Sequence, residues 1–105
     1  MDNSEAYFVV IDPAASDRMA EHMEFLARVS ESAANRLLDE LMAGIRSLNK
    51  MPYRNPTYNR PYLPIDKYRY FVVGKRYRII YQVIGRDVLV GDIQDCRQDN
   101  DKNLV

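Results

Sequence analysis

Arg78 stands inside Tyr77-Arg78-Ile79-Ile80-Tyr81-Gln82-Val83, a run otherwise made of apolar and aromatic residues. A guanidinium keeps its charge in any protein setting and presents five donors in a rigid fork, which suits phosphate and carboxylate groups. Arg78 therefore has two readings: a charge facing water from the solvated side of a sheet, or one aimed at an anionic ligand. Arg97 and Arg69 carry the same chemistry on either side of it. Arg78 and Arg97 also fit an internal clasp with Asp92, Asp95 or Asp99, and Arg69 and Arg76 fit plain solvated strand positions. Upstream, Tyr53, Tyr58 and Tyr62 alternate loosely with Arg54 and Arg60, residue types that stack on bases and grip phosphates. The same tyrosines also suit pinning a long loop to a core.

Other reactive groups are few. His22 falls in a helical pattern and reads as a surface or core-edge residue. Cys96 is the one cysteine, so no intramolecular disulfide forms, and a reducing compartment fits. It reads as a small, half-buried side chain near a strand end. No metal and no cofactor is expected.

The bulk numbers narrow the class. A length of 105 residues implies one domain, 1–105, with 47% hydrophobic and 29% charged residues typical of a globular protein. The 15 basic and 15 acidic side chains cancel, which argues against a non-specific nucleic-acid binder but leaves room for a local basic patch. No apolar run approaches the roughly 18 residues that span a bilayer. The acidic start, MDNSEAYF, lacks the basic and apolar regions of a secretory signal. A cytoplasmic protein without a membrane role is expected.

The elements that must position these residues follow from pattern. Ala6 to Asp12 is short, β-branched and aromatic, and predicts a strand. Asp12 then caps a helix with Pro13 in its first turn, and Ala15, Met19, Met23 and Leu26 form its apolar stripe. Ser30 or Ser32 caps a second helix whose stripe is Ala34, Leu37, Leu38, Leu41, Ile45 and Leu48, and Pro52 ends it. Gly44 weakens that helix by about 1 kcal/mol relative to alanine. Four prolines between Met51 and Pro64 predict a loop without regular structure.

Glycines in Val73-Gly74-Lys75-Arg76 and Ile84-Gly85-Arg86-Asp87 predict two tight hairpins. The implied register pairs Val73 with Arg76, Phe71 with Arg78, Val83 with Val88 and Tyr81 with Val90. Alternation then puts Tyr68, Tyr70, Val72, Tyr77, Ile79, Tyr81, Val83, Val88 and Val90 under the helices. The opposite face receives Arg69, Phe71, Val73, Arg76, Arg78, Ile80, Gln82, Leu89, Gly91 and Ile93, a half-apolar surface studded with arginines that suits a binding concavity.

The order of strand, two helices, proline-rich loop and three strands resembles the RelE/ParE superfamily of type II toxin–antitoxin toxins. Tyr77 to Val83 looks like that family's Tyr-Arg-aliphatic-aliphatic-Tyr central strand. Lys67 to Val73 is similar to its preceding strand, and Asp92 onward to its closing arginine motif. The resemblance implies an α+β fold: a twisted antiparallel sheet, ordered β-α-α-β-β-β, with the two N-terminal helices packed on one face. It implies a toxin that inhibits growth by acting on a core cellular process and is neutralised by a cognate antitoxin, with a toxin–antitoxin hetero-oligomer as the assembly.

The resemblance also implies two target classes. In the branch that cleaves messenger RNA on the ribosome, Arg78 falls on the arginine that stabilises the transition state, Arg97 on the closing-motif arginine, and Arg69 near a basic residue of the preceding strand. Guanidinium forks there meet the charge that builds on the phosphate oxygens. That branch commonly places a tyrosine or histidine after the closing arginine, where this chain has Gln98-Asp99-Asn100-Asp101-Lys102-Asn103. Phe71 stands at a position where some members carry lysine. General acid–base help is typically worth about 10²–10⁴-fold, so the other branch, inhibition of DNA gyrase by binding, fits this chain better. A degenerate member that only binds partners is a third reading.

Overall fold

The computed structural model describes residues 6–97. Strand β1 (Phe8–Ile11) leads into helix α1 (Pro13–Ala27), then α2 (Glu31–Arg46), followed by β2 (Arg69–Val73), β3 (Tyr77–Ile84) and β4 (Asp87–Asp95). The caps are those the sequence predicts. Asp12 accepts from the Ala14 amide at 2.9 Å, with Pro13 opening the helix, and Ser30 accepts from the Ala33 amide at 3.1 Å. Each satisfies an amide that the first helical turn leaves without a partner.

Among the described residues one four-stranded sheet forms, in the order β1-β4-β3-β2. The three C-terminal strands are antiparallel, and β1 joins the far edge parallel to β4. The helices cover one face. Leu37, Leu41, Ile45 and Leu48 from α2 and its short 3-10 extension (Ser47–Asn49) meet Tyr77, Ile79, Tyr81, Val88, Val90 and Ile93 in a single core. Burial of each such aliphatic side chain contributes about 1.5–3 kcal/mol. Leu38, assigned to the buried stripe by spacing, is instead 37% exposed.

The second hairpin has the expected register: Val83 opposes Val88, Tyr81 opposes Val90, and Gly85 takes a positive φ of 61°. The first does not. Its turn is the anticipated one, with Gly74 and Lys75 at φ 63° and 62° and the Arg76 amide donating to the Val73 carbonyl at 3.2 Å. Arg76 then stays outside the ladder, and pairing begins at Val73 with Tyr77 and continues through Val72 with Arg78. That single inserted residue turns β2 over. Phe71 and Val73 pack against the core under the helices, and Tyr68, Tyr70 and Val72 move to the opposite side.

A second irregularity re-aims β4. Ile80 opposes Asp92 while Tyr81 opposes Val90, leaving Gly91 as an extra residue. Downstream of this bulge the parity inverts. Ile93, expected on the uncovered face, is fully buried beneath the helices.

The proline-rich segment is not wholly irregular. Pro52–Arg54 makes a 3-10 turn entered through Met51 at φ 51°. Further on, Thr57 bridges Arg69 in antiparallel fashion, with the Tyr58 amide bonded to the Tyr68 carbonyl and the Tyr70 amide to the Pro56 carbonyl. The loop thus extends the β2 edge by a fragment of strand.

Candidate functional site

The face turned away from the helices is built in rows set by cross-strand pairing. Val72, Arg78 and Gln94 form one row, Tyr70, Ile80 and Asp92 the next, and Gln82, Leu89 and Val10 a third. Arg78 lies mid-sheet, on the third strand of four. Its Nη1 donates to Gln94 Oε1 at 2.8 Å, and its Cζ lies 5.5 Å from the Tyr58 ring centroid and 5.8 Å from that of Tyr70. The cation is therefore held from one side by an amide and from another by two π faces.

The loop after Pro52 passes around the β2 edge onto this face. Tyr58 is 6% exposed, set edge-on to Tyr70 at 5.8 Å, whereas Tyr53 and Tyr62 are open to solvent. Of the three loop tyrosines, only Tyr58 acts as a buried pin. Arg60 stacks on the same ring, its Cζ 4.3 Å from the centroid. Two depressions flank Tyr58. One, of about 450 Å³, is lined by Tyr62, Leu63, Ile80 and Leu89 together with Asp12 and Asp92. The other, of about 260 Å³, is lined by Thr57, Tyr58, Asn59, Arg60, Tyr70 and Arg78.

The acidic residues at the end of β4 divide between two roles. Asp92 stays on the uncovered face, accepting from Gln94 Nε2 at 3.2 Å and lying 3.7 Å from Arg18 Nη2. Asp95 is turned to the helix side, its side chain 3% exposed, where Arg76 holds it through Nε at 3.2 Å and Nη2 at 2.9 Å. Burial pushes the Asp95 carboxyl upward, but hydrogen bonds from Arg76 and the Arg97 amide, with the charges of both arginines, outweigh it and hold the group below its ordinary value. The same bond to Asp95 raises Arg76 against the opposing effect of burial.

A family model described as the ParE toxin of the type II toxin–antitoxin system parDE matches residues 9–100. The chain belongs to the ParE toxin family. It is the toxin component of a type II toxin–antitoxin system. Among solved structures, it is similar to one described as the chromosomal ParDE TA system from P. aeruginosa, with a TM-score of 0.69 at 10% identity over 87% of this chain and 97% of that one. At that identity the likeness concerns the fold. No curated protein sequence matches the chain.

In this ParE-family toxin the three arginines singled out by sequence do not share one surface. Arg78 is on the uncovered face. Arg69 pairs with Tyr81, which puts it on the other side of β2, and its Nη1 donates to the carbonyl oxygens of Asn55 at 2.6 Å and Tyr53 at 3.2 Å. It is a strut for the loop. Arg97 follows β4, its amide bonded to Asp95 Oδ1 at 3.0 Å and its side chain 67% exposed. Arg76, expected on the uncovered face, is committed to Asp95. Phe71 faces α2 and so does not occupy a site position. The closing stretch Gln98 to Asn103, with Asp99 and Asp101, lies outside the described residues.

Three contributors escaped the sequence reading: Gln94 as the partner of Arg78, Tyr70 as its second ring, and Arg60 as a second cation on Tyr58. Gly91 carried a usable signal for the first, because a lone glycine inside a strand pattern marks a bulge, and the bulge is what brings Gln94 beside Arg78. Nothing in the sequence signals the stacking of Arg60. His22 lies on α1 at the core edge, its Nε2 donating to the Ile93 carbonyl at 2.8 Å. Among the described residues no cluster of His, Cys, Asp and Glu suits a metal ion, and no helix is long and apolar enough to cross a membrane.

Proposed function

We propose that this toxin arrests growth by binding a protein target through the uncovered face of its sheet, with DNA gyrase as the target, and that a cognate antitoxin neutralises it in the cytoplasm. The observation that carries this reading is the separation of Arg69 from Arg78 by the thickness of the sheet. A phosphate gripped by Arg78 would not meet Arg69, which is occupied by loop carbonyls. Instead, Arg78 sits in a surface of tyrosines and aliphatic residues, the composition of a protein-binding hot spot. The ParDE description of the structural neighbour supports an antitoxin partner.

Messenger-RNA cleavage is the second reading, favoured by the tyrosine rings of Tyr58 and Tyr70 beside Arg78. One pair of assays separates the two. Purified toxin is added to gyrase with relaxed plasmid, and in parallel to a translating extract. The proposal expects stalled supercoiling with intact transcripts. Cleaved transcripts with normal supercoiling would overturn it.

A further inference from the structure

We infer that the free toxin pairs with a second copy of itself along strand β1, joining two sheets into one across a two-fold axis at Val10. Among the described residues β1 is an outer strand, bonded to β4 on one side. The Phe8 amide donates to the Arg86 carbonyl at 2.8 Å and the Asp12 amide to the Val90 carbonyl at 2.9 Å. Backbone polar groups alternate in direction along a strand, so those of Val9 and Ile11 turn outward, away from β4. Among the described residues no partner reaches their amides. Proteins usually blunt such an edge with lysine, proline or a bulge, and Phe8-Val9-Val10-Ile11 has none of these. Its side chains on the uncovered face are apolar and open, Phe8 at 69% and Val10 at 50% exposure.

An antiparallel copy centred on Val10 sets Val9 opposite Ile11 of the second copy, and the reverse, so every outward amide and carbonyl finds a partner. Val10 meets its own counterpart in a non-hydrogen-bonded pair, the closer of the two kinds. The ladder stops there at both ends. The Tyr7 amide is taken by the Asn49 carbonyl at 2.9 Å, and the position facing it is Pro13, which has no N–H to donate. Charge selects a second copy over another extended segment. Arg86 lies at the start of β1, its guanidinium 5.2 Å from the Tyr7 centroid, and exposed Lys50 follows Asn49 there. Asp87, beside Phe8 on β4, offsets one of these cations. Asp12 marks the other end of the strand, and Asp92 beyond it is already matched by Arg18. Antiparallel pairing brings the basic start of each strand to the acidic end of its mate, twice over. The arrangement uses both open edges and closes. Its axis stands perpendicular to the sheet, so the two uncovered faces lie side by side and look the same way.

The ladder is short, so the dimer should be weak, with Kd on the order of 1–100 μM. Sedimentation of the full-length toxin across that range should show a monomer–dimer equilibrium. Val10→Lys, at an exposed position, should melt as the wild type does yet weaken pairing by about tenfold or more, because it sets two like charges face to face on the axis. Arg86→Glu should weaken it too, more at low salt than at high. Register is read by cross-linking in a Cys96→Ser background. Val10→Cys should oxidise to a covalent dimer, since facing Cβ atoms in such a pair lie about 4.5–5.5 Å apart, near the span of a disulfide. Ile84→Cys, exposed on the same face but two strands in from the edge, should stay monomeric. A toxin that remains monomeric throughout, a dimer that Val10→Lys leaves intact, or cross-linking through Ile84→Cys in preference to Val10→Cys would each overturn the inference.

Discussion

Arg76 grips Asp95 at two points across the mouth of the β3–β4 ladder, Nε at 3.2 Å and Nη2 at 2.9 Å from Oδ2. Arg76 is the residue that stays out of the β2–β3 pairing, and its carbonyl accepts from the Cys96 amide at 2.7 Å. Its guanidinium also stacks on the Tyr77 ring, 4.9 Å from the centroid. One ion pair thus ties the first hairpin turn to the end of β4 and coincides with the slip that sets which side of β2 meets the helices.

Asp95→Ala should lower unfolding stability by about 2–4 kcal/mol, because the buried end of the pair disappears and Arg76 loses its charge-assisted bonds. The pH dependence has a definite sign. The folded carboxyl titrates below its ordinary value, so its contribution is complete above that value and is lost as pH falls through the folded one. Urea titrations of wild type and Asp95→Asn should therefore show a stability gap at neutral pH that closes as pH falls through and below the ordinary aspartate range.

Gly44 explains itself by what it touches. A Cβ there would come within 2.8 Å of Phe71 Cε2. Gly44→Ala gains about 1 kcal/mol of helix propensity but overpacks the α2–β2 contact at a cost of about 1–3 kcal/mol. Denaturant unfolding should show net destabilisation. In a Phe71→Leu background the same substitution should stabilise.

Tyr81 anchors the proline-rich segment from inside the core. Its hydroxyl donates to the Pro52 carbonyl at 2.6 Å and accepts from Asn55 Nδ2 at 3.1 Å. Burial raises its phenol above the ordinary range, against the opposing bond from Asn55. Tyr81→Phe should cost about 1–2 kcal/mol and speed proteolysis between residues 51 and 64. A melt and a limited-digestion time course read the two effects.

The sequence alone disclosed the elements, both caps, the second hairpin and the position of Arg78 opposite the helices. These rest on strong local signals: Asp12-Pro13, Ser30, and the glycine of Gly85-Arg86. The orientation of β2 was illegible because both of its faces are rich in large side chains, so Tyr68, Tyr70 and Val72 compete evenly with Phe71 and Val73 for the core. The observed orientation goes with Arg76 leaving the ladder to pair with Asp95, and that contact joins the first hairpin turn to the end of β4, far apart in sequence. The bulge at Gly91 was readable in principle. Arg60 on Tyr58 was not, since a loop's path over a sheet face leaves no periodic trace.

The central claim, that recognition runs through the uncovered face, is tested most directly by hydroxyl-radical footprinting of the toxin with and without gyrase. Tyr62 is 76% exposed on that face and Phe25 is 54% exposed on α1, so both are oxidised in the free protein. Binding through the uncovered face should let gyrase protect Tyr62 and Tyr70 and leave Phe25 unchanged. Protection of Phe25 with Tyr62 still reactive, or no protection at either, would contradict it.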